Sequence, residues 1–236
     1  MDSKPAADVT FELVIFDCDG VLVDSELISC RVHAETLTRF GYPITTEQVA
    51  ARFLGRSGRE ARREIEAELG RRFADDLETQ LLEDLLRSFA GTLQPIPFVA
   101  DALDSLNRPF CVASSGTLDR IRVALTHAGL LDRFAPNLFS AEQVAHGKPA
   151  PDLFLYAAAR MGTAPERCIV IEDSVPGVTG AVAAGMTVLG FHGGSHCDPQ
   201  VATRLRSAGA LRCFADMRQL TEIIGEIHES TASPES

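Results

Sequence analysis

The sequence predicts an α/β protein: a doubly wound parallel sheet with an inserted α-helical cap domain. Three observations support this fold class. Short, continuous apolar runs alternate with longer helical patterns, a block of about 65 residues carries helical pattern only, and chemically active side chains follow the apolar runs.

Four apolar runs predict the strands, at residues 13–16, 110–113, 168–171 and 187–191. They are continuous rather than alternating, as expected of strands that are buried on both faces of a parallel sheet. Helical patterns separate the later runs, at residues 117–128, 152–161 and 175–184. Strands alternating with helices of this length favour right-handed crossovers and a doubly wound sheet.

Residues 25–91 break this alternation. Their apolar residues recur every three or four positions, and glycines divide the stretch into four or five helices. Because such a block is too long for a crossover, we predict a helical cap at 25–91 and a core formed by 11–24 and 92–224. The polar ends, 1–10 and 225–236, are predicted to be flexible.

Composition excludes several classes of function. The chain has 236 residues and a formal net charge of −11, which argues against a general nucleic-acid binder. No stretch approaches the roughly 20 apolar residues of a membrane span, and the first residues lack the basic region of a signal peptide. The six cysteines show no zinc or disulfide spacing. We therefore expect a cytoplasmic protein without nucleic-acid or membrane partners, and a monomer by default.

Polar residues follow each of the first three runs, where a doubly wound sheet binds its ligands. These residues and one loop lysine are Asp17, Cys18 and Asp19; Ser114 and Ser115; Lys148; and Glu172 and Asp173. Carboxylates crowded at one edge repel each other unless a cation joins them, and oxygen ligands favour Mg²⁺. Asp17 and Asp173 are the natural ligand pair, with Glu172 as a weaker candidate.

A carboxylate neutralised by a metal can attack phosphorus, and a second acid two residues later can serve the leaving oxygen as general acid. Lys148 and Ser114 would balance the charge of the transferring group. Lys148 is one of only two lysines among 22 basic residues, which suggests a position that needs a compact charge.

These motifs, in this order, resemble the haloacid dehalogenase-like hydrolase superfamily. The position of the helical insertion is similar to the branch with a cap between the first two motifs, which includes sugar-phosphate phosphatases and β-phosphoglucomutase. The resemblance spans about residues 11–220 and implies a Mg²⁺-dependent reaction on a small phosphorylated metabolite, with a sugar or sugar-acid phosphate as the expected substrate.

The resemblance also implies residue roles. Asp17 would be the nucleophile that forms an aspartyl-phosphate, and Asp19 the general acid and base whose backbone carbonyl also binds the metal. Ser114 and Lys148 would bind the phosphoryl group, and Asp173 would be the second metal carboxylate. The backbone amides of Cys18 and Ser115 are expected to face the phosphate oxygens.

Arg56 lies in a glycine-flanked loop of the cap and has two interpretations. It could reach an anionic substrate across the cleft, or the arginines around it could simply pair with nearby glutamates of the cap. The sequence offers no partner for His33 or His196, and both are interpreted as surface or packing residues.

Hydrolysis is favoured over the alternatives. Asp19 and Asp173 argue against dehalogenation, which needs neither. A mutase similar to β-phosphoglucomutase is the alternative, but Ser29, Leu54 and Gly58 stand where that enzyme has a histidine, a lysine and an arginine. A phospho-accepting receiver module is a remote possibility, because receivers place their paired acids differently and carry no cap.

Overall fold

The computed structural model describes residues 11–53 and 58–232, and the strands form one parallel sheet. The strands are β1 (Leu13–Phe16), β2 (Phe110–Ser114), β3 (Leu138–Ser140), β4 (Cys168–Glu172), β5 (Thr187–Phe191) and β6 (Arg212–Phe214). Their order in the sheet is β3-β2-β1-β4-β5-β6. The predicted fold class is confirmed.

β1 lies at the centre of the sheet, between β2 and β4. Ile15 pairs with Cys111 on one side and with Val170 on the other. The chain winds outward from β1 in both directions, so the strand order reverses between β1 and β4. In sheets of this kind the crevice beyond that reversal point is where ligands bind.

Helices cover both faces of the sheet and form the inserted cap. The cap helices are α1 (Glu26–Arg39), α2 (Thr46–Phe53), α3 (Gly58–Leu69) and α4 (Leu77–Phe89). The remaining helices are α5 (Val99–Asp104), α6 (Leu118–His127), α7 (Leu131–Phe134), α8 (Asp152–Arg160), α9 (Val175–Ala183), α10 (Val201–Ala208) and α11 (Leu220–Ala232).

Two hydrophobic clusters sandwich the sheet, because side chains alternate between its faces. Val14 and Phe16 of β1 point into the cluster that includes residues of α5, α6 and α11, whereas Leu13 and Ile15 point into the cluster with α8 and α9. All four side chains are fully buried. The strands therefore read as continuous apolar runs in the sequence.

The cap has a small core of its own and joins the sheet domain through two adjacent chain segments. Its core includes Leu37, Phe53 and Leu77. At the junction, the Asp24 amide donates to the Gln94 carbonyl at 3.0 Å, and the Ile96 amide donates to the Leu22 carbonyl at 2.9 Å. The chain thus leaves the sheet domain and returns to it at one place.

Three features differ from the sequence-based expectation. β3 and β6 were not predicted, because each has three residues and neither forms a continuous apolar run of useful length. α11 continues through Ala232, although flexibility was expected from residue 225. Its apolar residues explain the extension, since Ile224 is buried and Ile227 packs against the same cluster. Residues 1–10 and 233–236 lie outside the described part.

Across residues 11–53 and 58–232, no helix combines the length and the apolar character that a membrane crossing requires.

Candidate active site

Three carboxylates meet where β1 and β4 end. Asp17 directly follows β1, and its amide donates to the Ile171 carbonyl at 3.0 Å, which ties this turn to β4. Glu172 ends β4 and Asp173 follows it. Ligand oxygens of Asp17, Glu172 and Asp173 lie within 4.8 Å of one another. Parallel pairing of two neighbouring strands therefore builds the acidic cluster.

The Lys148 ammonium lies between two of these carboxylates. Its Nζ donates to Asp17 Oδ1 at 2.5 Å and to Glu172 Oε2 at 2.8 Å, and the side chain is only 4% exposed. Burial alone would lower the pKa of Lys148, but the adjacent Asp17 and Glu172 carboxylates outweigh it and raise the pKa. Lys148 therefore carries a fixed positive charge beside Asp17.

A glycine of α9 allows the loop that carries Lys148 to approach. A Cβ on Gly180 would lie 2.9 Å from the Ala150 carbonyl oxygen and 3.2 Å from the Pro149 carbonyl oxygen. Such distances leave no room for a larger residue. The close packing of α9 on this loop holds the lysine in the site.

Glu172 uses both carboxylate oxygens within the protein. Oε2 accepts from Lys148, while Oε1 accepts from the Ser174 hydroxyl at 2.6 Å and from the Ser174 amide at 3.1 Å. Ser174 in turn caps α9, because its Oγ accepts from the Gly177 amide at 3.1 Å. These contacts favour Glu172 as the partner that holds Lys148, with metal ligation left chiefly to Asp17 and Asp173.

The electrostatics of the cluster fit a cation. Burial, together with the neighbouring carboxylates Glu172 and Asp173, raises the pKa of Asp17 well above its usual range in spite of Lys148. Burial also raises the pKa of Asp173 to about 6. Because excess negative charge is concentrated on oxygen atoms alone, the donor set matches a hard divalent ion such as Mg²⁺.

Asp19 faces a different set of partners. Its Oδ1 accepts from the Ser25 hydroxyl at 2.5 Å and from Arg120 Nη2 at 2.9 Å. The Glu26 carboxyl group, at the start of α1, is also part of this region. Burial, Asp19 and Asp173 raise the pKa of Glu26 to about 7.

The predicted phosphate-binding groups lie at the ends of β1 and β2. Ser114 is buried, and its Oγ accepts from the Gly116 amide at 3.1 Å. The Cys18 and Ser115 amides donate to no other group of the described chain, so both remain available to a ligand. The Cys18 side chain instead belongs to the hydrophobic core, where burial raises its thiol pKa well above the usual range.

His196 packs against Asp173, contrary to the expectation that it has no specific partner. Its Nε2 lies 3.1 Å from Asp173 Oδ2, and both side chains are 7% exposed. Gly20 makes room for the pair, because a Cβ there would lie 1.9 Å from Asp173 Oδ2 and 2.9 Å from the His196 ring. Burial alone would lower the pKa of His196, but the Asp173 carboxylate, together with the Cys197 side chain, outweighs it and raises the pKa to about 11.

The structure thus brings together Asp17, Lys148, Glu172 and Asp173, with Asp19 beside them. Sequence reasoning missed Arg120, which lies in the first turn of α6, and His196, whose loop after β5 carries no motif of paired polar residues. A signal for His196 lies only in the fold, where the Ser195 hydroxyl donates to Asp24 Oδ1 at 2.9 Å and draws this loop to the site. Arg56, predicted to bind substrate, lies outside the described residues.

Comparison with known proteins agrees with the arrangement of the site. A family model described as haloacid dehalogenase-like hydrolase matches residues 11–185. The chain is 32% identical to a 6-phosphogluconate phosphatase of Escherichia coli strain K12, over 90% of this chain and 94% of the relative. It is 31% identical to a fructose-1-phosphate phosphatase of the same organism, over 73% of this chain and 92% of that protein.

Among solved structures, a haloacid dehalogenase-like protein of unknown function from Agrobacterium tumefaciens strain C58 superposes with a TM-score of 0.80. The two sequences are 40% identical, and the match covers 92% of this chain and 99% of the other. A family match across most of the chain and relatives above 30% identity agree with the four motifs at the strand ends. This chain belongs to the haloacid dehalogenase-like hydrolases.

Proposed function

We propose that this protein is a Mg²⁺-dependent phosphatase that hydrolyses a small phosphorylated metabolite through an aspartyl-phosphate intermediate on Asp17. The observation that carries the proposal is the position of the Asp17 carboxylate. It lies at the reversal point of the sheet, 2.5 Å from the Lys148 ammonium and within the acidic cluster with Asp173. This position supports the assignment of Asp17 as the nucleophile, because phosphoryl transfer requires such charges beside the attacking group.

Asp17 and Asp173 would hold the metal ion through their side chains, together with the backbone carbonyl of Asp19. When bound, the ion neutralises the carboxylates and the charge on the phosphoryl oxygens. Mg²⁺ is typical of this family, and the all-oxygen donor set fits it.

The chain's own residues account for the two half-reactions. In the first, an Asp17 oxygen forms a bond to phosphorus as the bond to the leaving oxygen breaks, and Asp19 gives that oxygen a proton. In the second, Asp19 takes a proton from water, whose oxygen attacks phosphorus and releases inorganic phosphate, so that Asp17 is regenerated. Lys148 balances the charge in both steps, while Ser114 and the amides of Cys18 and Ser115 bind the phosphoryl oxygens.

A sugar or sugar-acid phosphate is the proposed substrate class. The relatives named above act, by their names, on 6-phosphogluconate and fructose 1-phosphate, and both align over most of this chain. These two compounds are therefore the first substrates to test. Arg56 is the candidate cap residue for recognising the anionic end of the substrate.

The test is release of inorganic phosphate from these two substrates and from p-nitrophenyl phosphate, with Mg²⁺ and with EDTA. We expect turnover that depends on Mg²⁺ and is abolished in Asp17→Asn, because an amide oxygen is too weak a nucleophile to attack phosphorus. Asp198→Asn is the matched control, since Asp198 is exposed and its carboxylate pairs with Arg204 rather than with a motif residue. Asp198→Asn is expected to behave as wild type.

The covalent step is tested separately with Asp19→Asn. Loss of the acid and base lowers turnover by ~10²–10⁴-fold and slows hydrolysis of the intermediate. Phosphorylated protein should then be detectable by mass spectrometry after rapid acid quench. Full activity in Asp17→Asn would refute the proposed nucleophile.

A further inference from the structure

We propose that Arg120 is a positioning residue that orients the Asp19 carboxyl group for proton transfer to the leaving group, an inference that rests on the proposed function. Arg120 is not part of any motif that follows a strand. Its guanidinium nevertheless reaches Asp19, which precedes it by 101 residues in the chain.

Local structure directs Arg120 towards the site. It lies in the first turn of α6, where the Thr117 side chain caps the helix by accepting from the Arg120 amide at 3.2 Å. Its aliphatic stem passes over Gly116, where a Cβ would lie 3.2 Å from Arg120 Cδ. The helix start and the missing side chain at residue 116 together fix the direction of the arginine.

The two side-chain donors that contact the Asp19 carboxylate bind the same oxygen atom. Both Ser25 Oγ, at 2.5 Å, and Arg120 Nη2, at 2.9 Å, donate to Oδ1. Within the described residues, Oδ2 accepts no hydrogen bond. Since Oδ1 is occupied by two donors, Oδ2 is the oxygen free to exchange a proton with the leaving group or with water. Arg120 cannot supply that proton itself, because a guanidinium stays charged in proteins.

The ion pair with Asp19 also holds the Arg120 side chain in place. Within the described part of the chain, Arg120 forms an ion pair only with Asp19, and its Nε is buried without a hydrogen-bond partner. The same Nη2 lies 3.4 Å from the Ser29 hydroxyl of α1, the first cap helix. Arg120 therefore contacts the sheet domain through Asp19 and the cap through Ser29, and it does so beside the group proposed to transfer the proton.

A purely structural role predicts a different behaviour. If Arg120 only compensated the charge of Asp19, its loss would weaken every substrate's turnover to the same extent. If it orients a general acid, the loss depends on the leaving group. An alkyl leaving group needs a proton to depart, whereas p-nitrophenolate departs without one.

The experiment measures kcat/KM of Arg120→Met for 6-phosphogluconate or fructose 1-phosphate and for p-nitrophenyl phosphate. kcat/KM reports the formation of the aspartyl-phosphate and excludes its hydrolysis, which both substrates share. We expect a loss of ~10–100-fold with the sugar phosphate, less than complete removal of a general acid causes. With p-nitrophenyl phosphate we expect a loss of no more than about threefold on the same scale.

Arg122→Met is the matched control, because Arg122 is exposed on the same helix and should leave both values unchanged. Arg120→Lys keeps the charge and is expected to retain more activity on the sugar phosphate than Arg120→Met. If Arg120→Met fails to fold, as judged by its thermal melt, Arg120→Lys and Arg120→Gln carry the comparison.

Equal losses on both substrates in the folded Arg120 variants would overturn the inference. A wild-type protein that releases phosphate from neither substrate would instead refute the proposed function. The two failures are therefore distinct.

Discussion

At the scale of single residues, the site depends on a buried cation. Lys148 connects Asp17 and Glu172, and it occupies a nearly inaccessible position. Removing one partner of such a group leaves unpaired charge in the interior, which is more costly than removing the whole set. We therefore expect Lys148 to contribute both to the stability of the fold and to the activity of the site.

Lys148→Met tests this coupling. In EDTA, we expect the free energy of unfolding to fall by ~3–5 kcal/mol, because two neighbouring carboxylates lose their cation. Activity should fall by ~10²–10³-fold, as when one group that stabilises the transition-state charge is removed. Urea unfolding and phosphate release give the two values.

The double variant Lys148→Met/Glu172→Gln provides the control. Glu172→Gln removes one of the carboxylates left unpaired by Lys148→Met, so the double variant should be more stable than Lys148→Met alone. A metal-free Lys148→Met protein as stable as wild type would contradict this account.

At the scale of elements, the start of α9 supports the acidic cluster. Ser174 caps the helix and also donates to Glu172, and Gly177 packs directly against that carboxyl group. A Cβ at residue 177 would lie 2.0 Å from Glu172 Cδ. The helix start and the site therefore cannot move independently.

Gly177→Ala measures this constraint. Although alanine favours a helix, the added methyl group must displace Glu172 or α9, and we expect a loss of ~1–3 kcal/mol in the free energy of unfolding. kcat should fall as well, because Lys148 loses its second anchor. Gly225→Ala in α11 is the matched control, since its Cβ would meet no atom within 4 Å.

For Gly225→Ala the expected change has the opposite sign, a gain of about 0.5–1 kcal/mol from helix propensity alone. Chemical unfolding curves of the three proteins provide the comparison. Equal stability of Gly177→Ala and Gly225→Ala would show that the contact with Glu172 carries no energetic weight.

At the scale of the whole molecule, the acidic site makes stability depend on pH and, if the proposed function holds, on Mg²⁺. Burial raises the pKa of Asp173 to about 6 and that of Glu26 to about 7. Between their usual range and these values, the folded protein binds protons that the unfolded chain releases. The free energy of unfolding must therefore fall as pH rises through this window.

We expect metal-free protein to lose stability, on the order of 2 kcal/mol, between about pH 5 and pH 7. With saturating Mg²⁺ this loss should become smaller, because the ion replaces the proton on Asp173 and binds only the folded state. Urea unfolding at several pH values, in EDTA and in Mg²⁺ at matched ionic strength, measures both. Metal-free protein that gains stability over this range would contradict the prediction.

Sequence reasoning located much of the fold and the motif residues because that information is local. A buried parallel strand is a continuous apolar run, so the ends of β1, β2 and β4 are visible in the sequence, and with them Asp17, Ser114 and Glu172. Short edge strands such as β3 lack that signal. The contact of Arg120 with Asp19 depends on how α6 packs against distant elements, and no local pattern encodes it.

The junction between cap and sheet domain has a consequence for protein engineering. The outgoing and returning segments are hydrogen-bonded neighbours, at Asp24 with Gln94 and at Leu22 with Ile96. The segment inserted between them therefore begins and ends at two hydrogen-bonded neighbours. A cap from another relative that retains Ser25 could be transplanted at this seam without altering the pairing of any sheet strand or the Ser25 hydrogen bond to Asp19, so the cap can be exchanged as a unit while the residues at the strand ends stay in place.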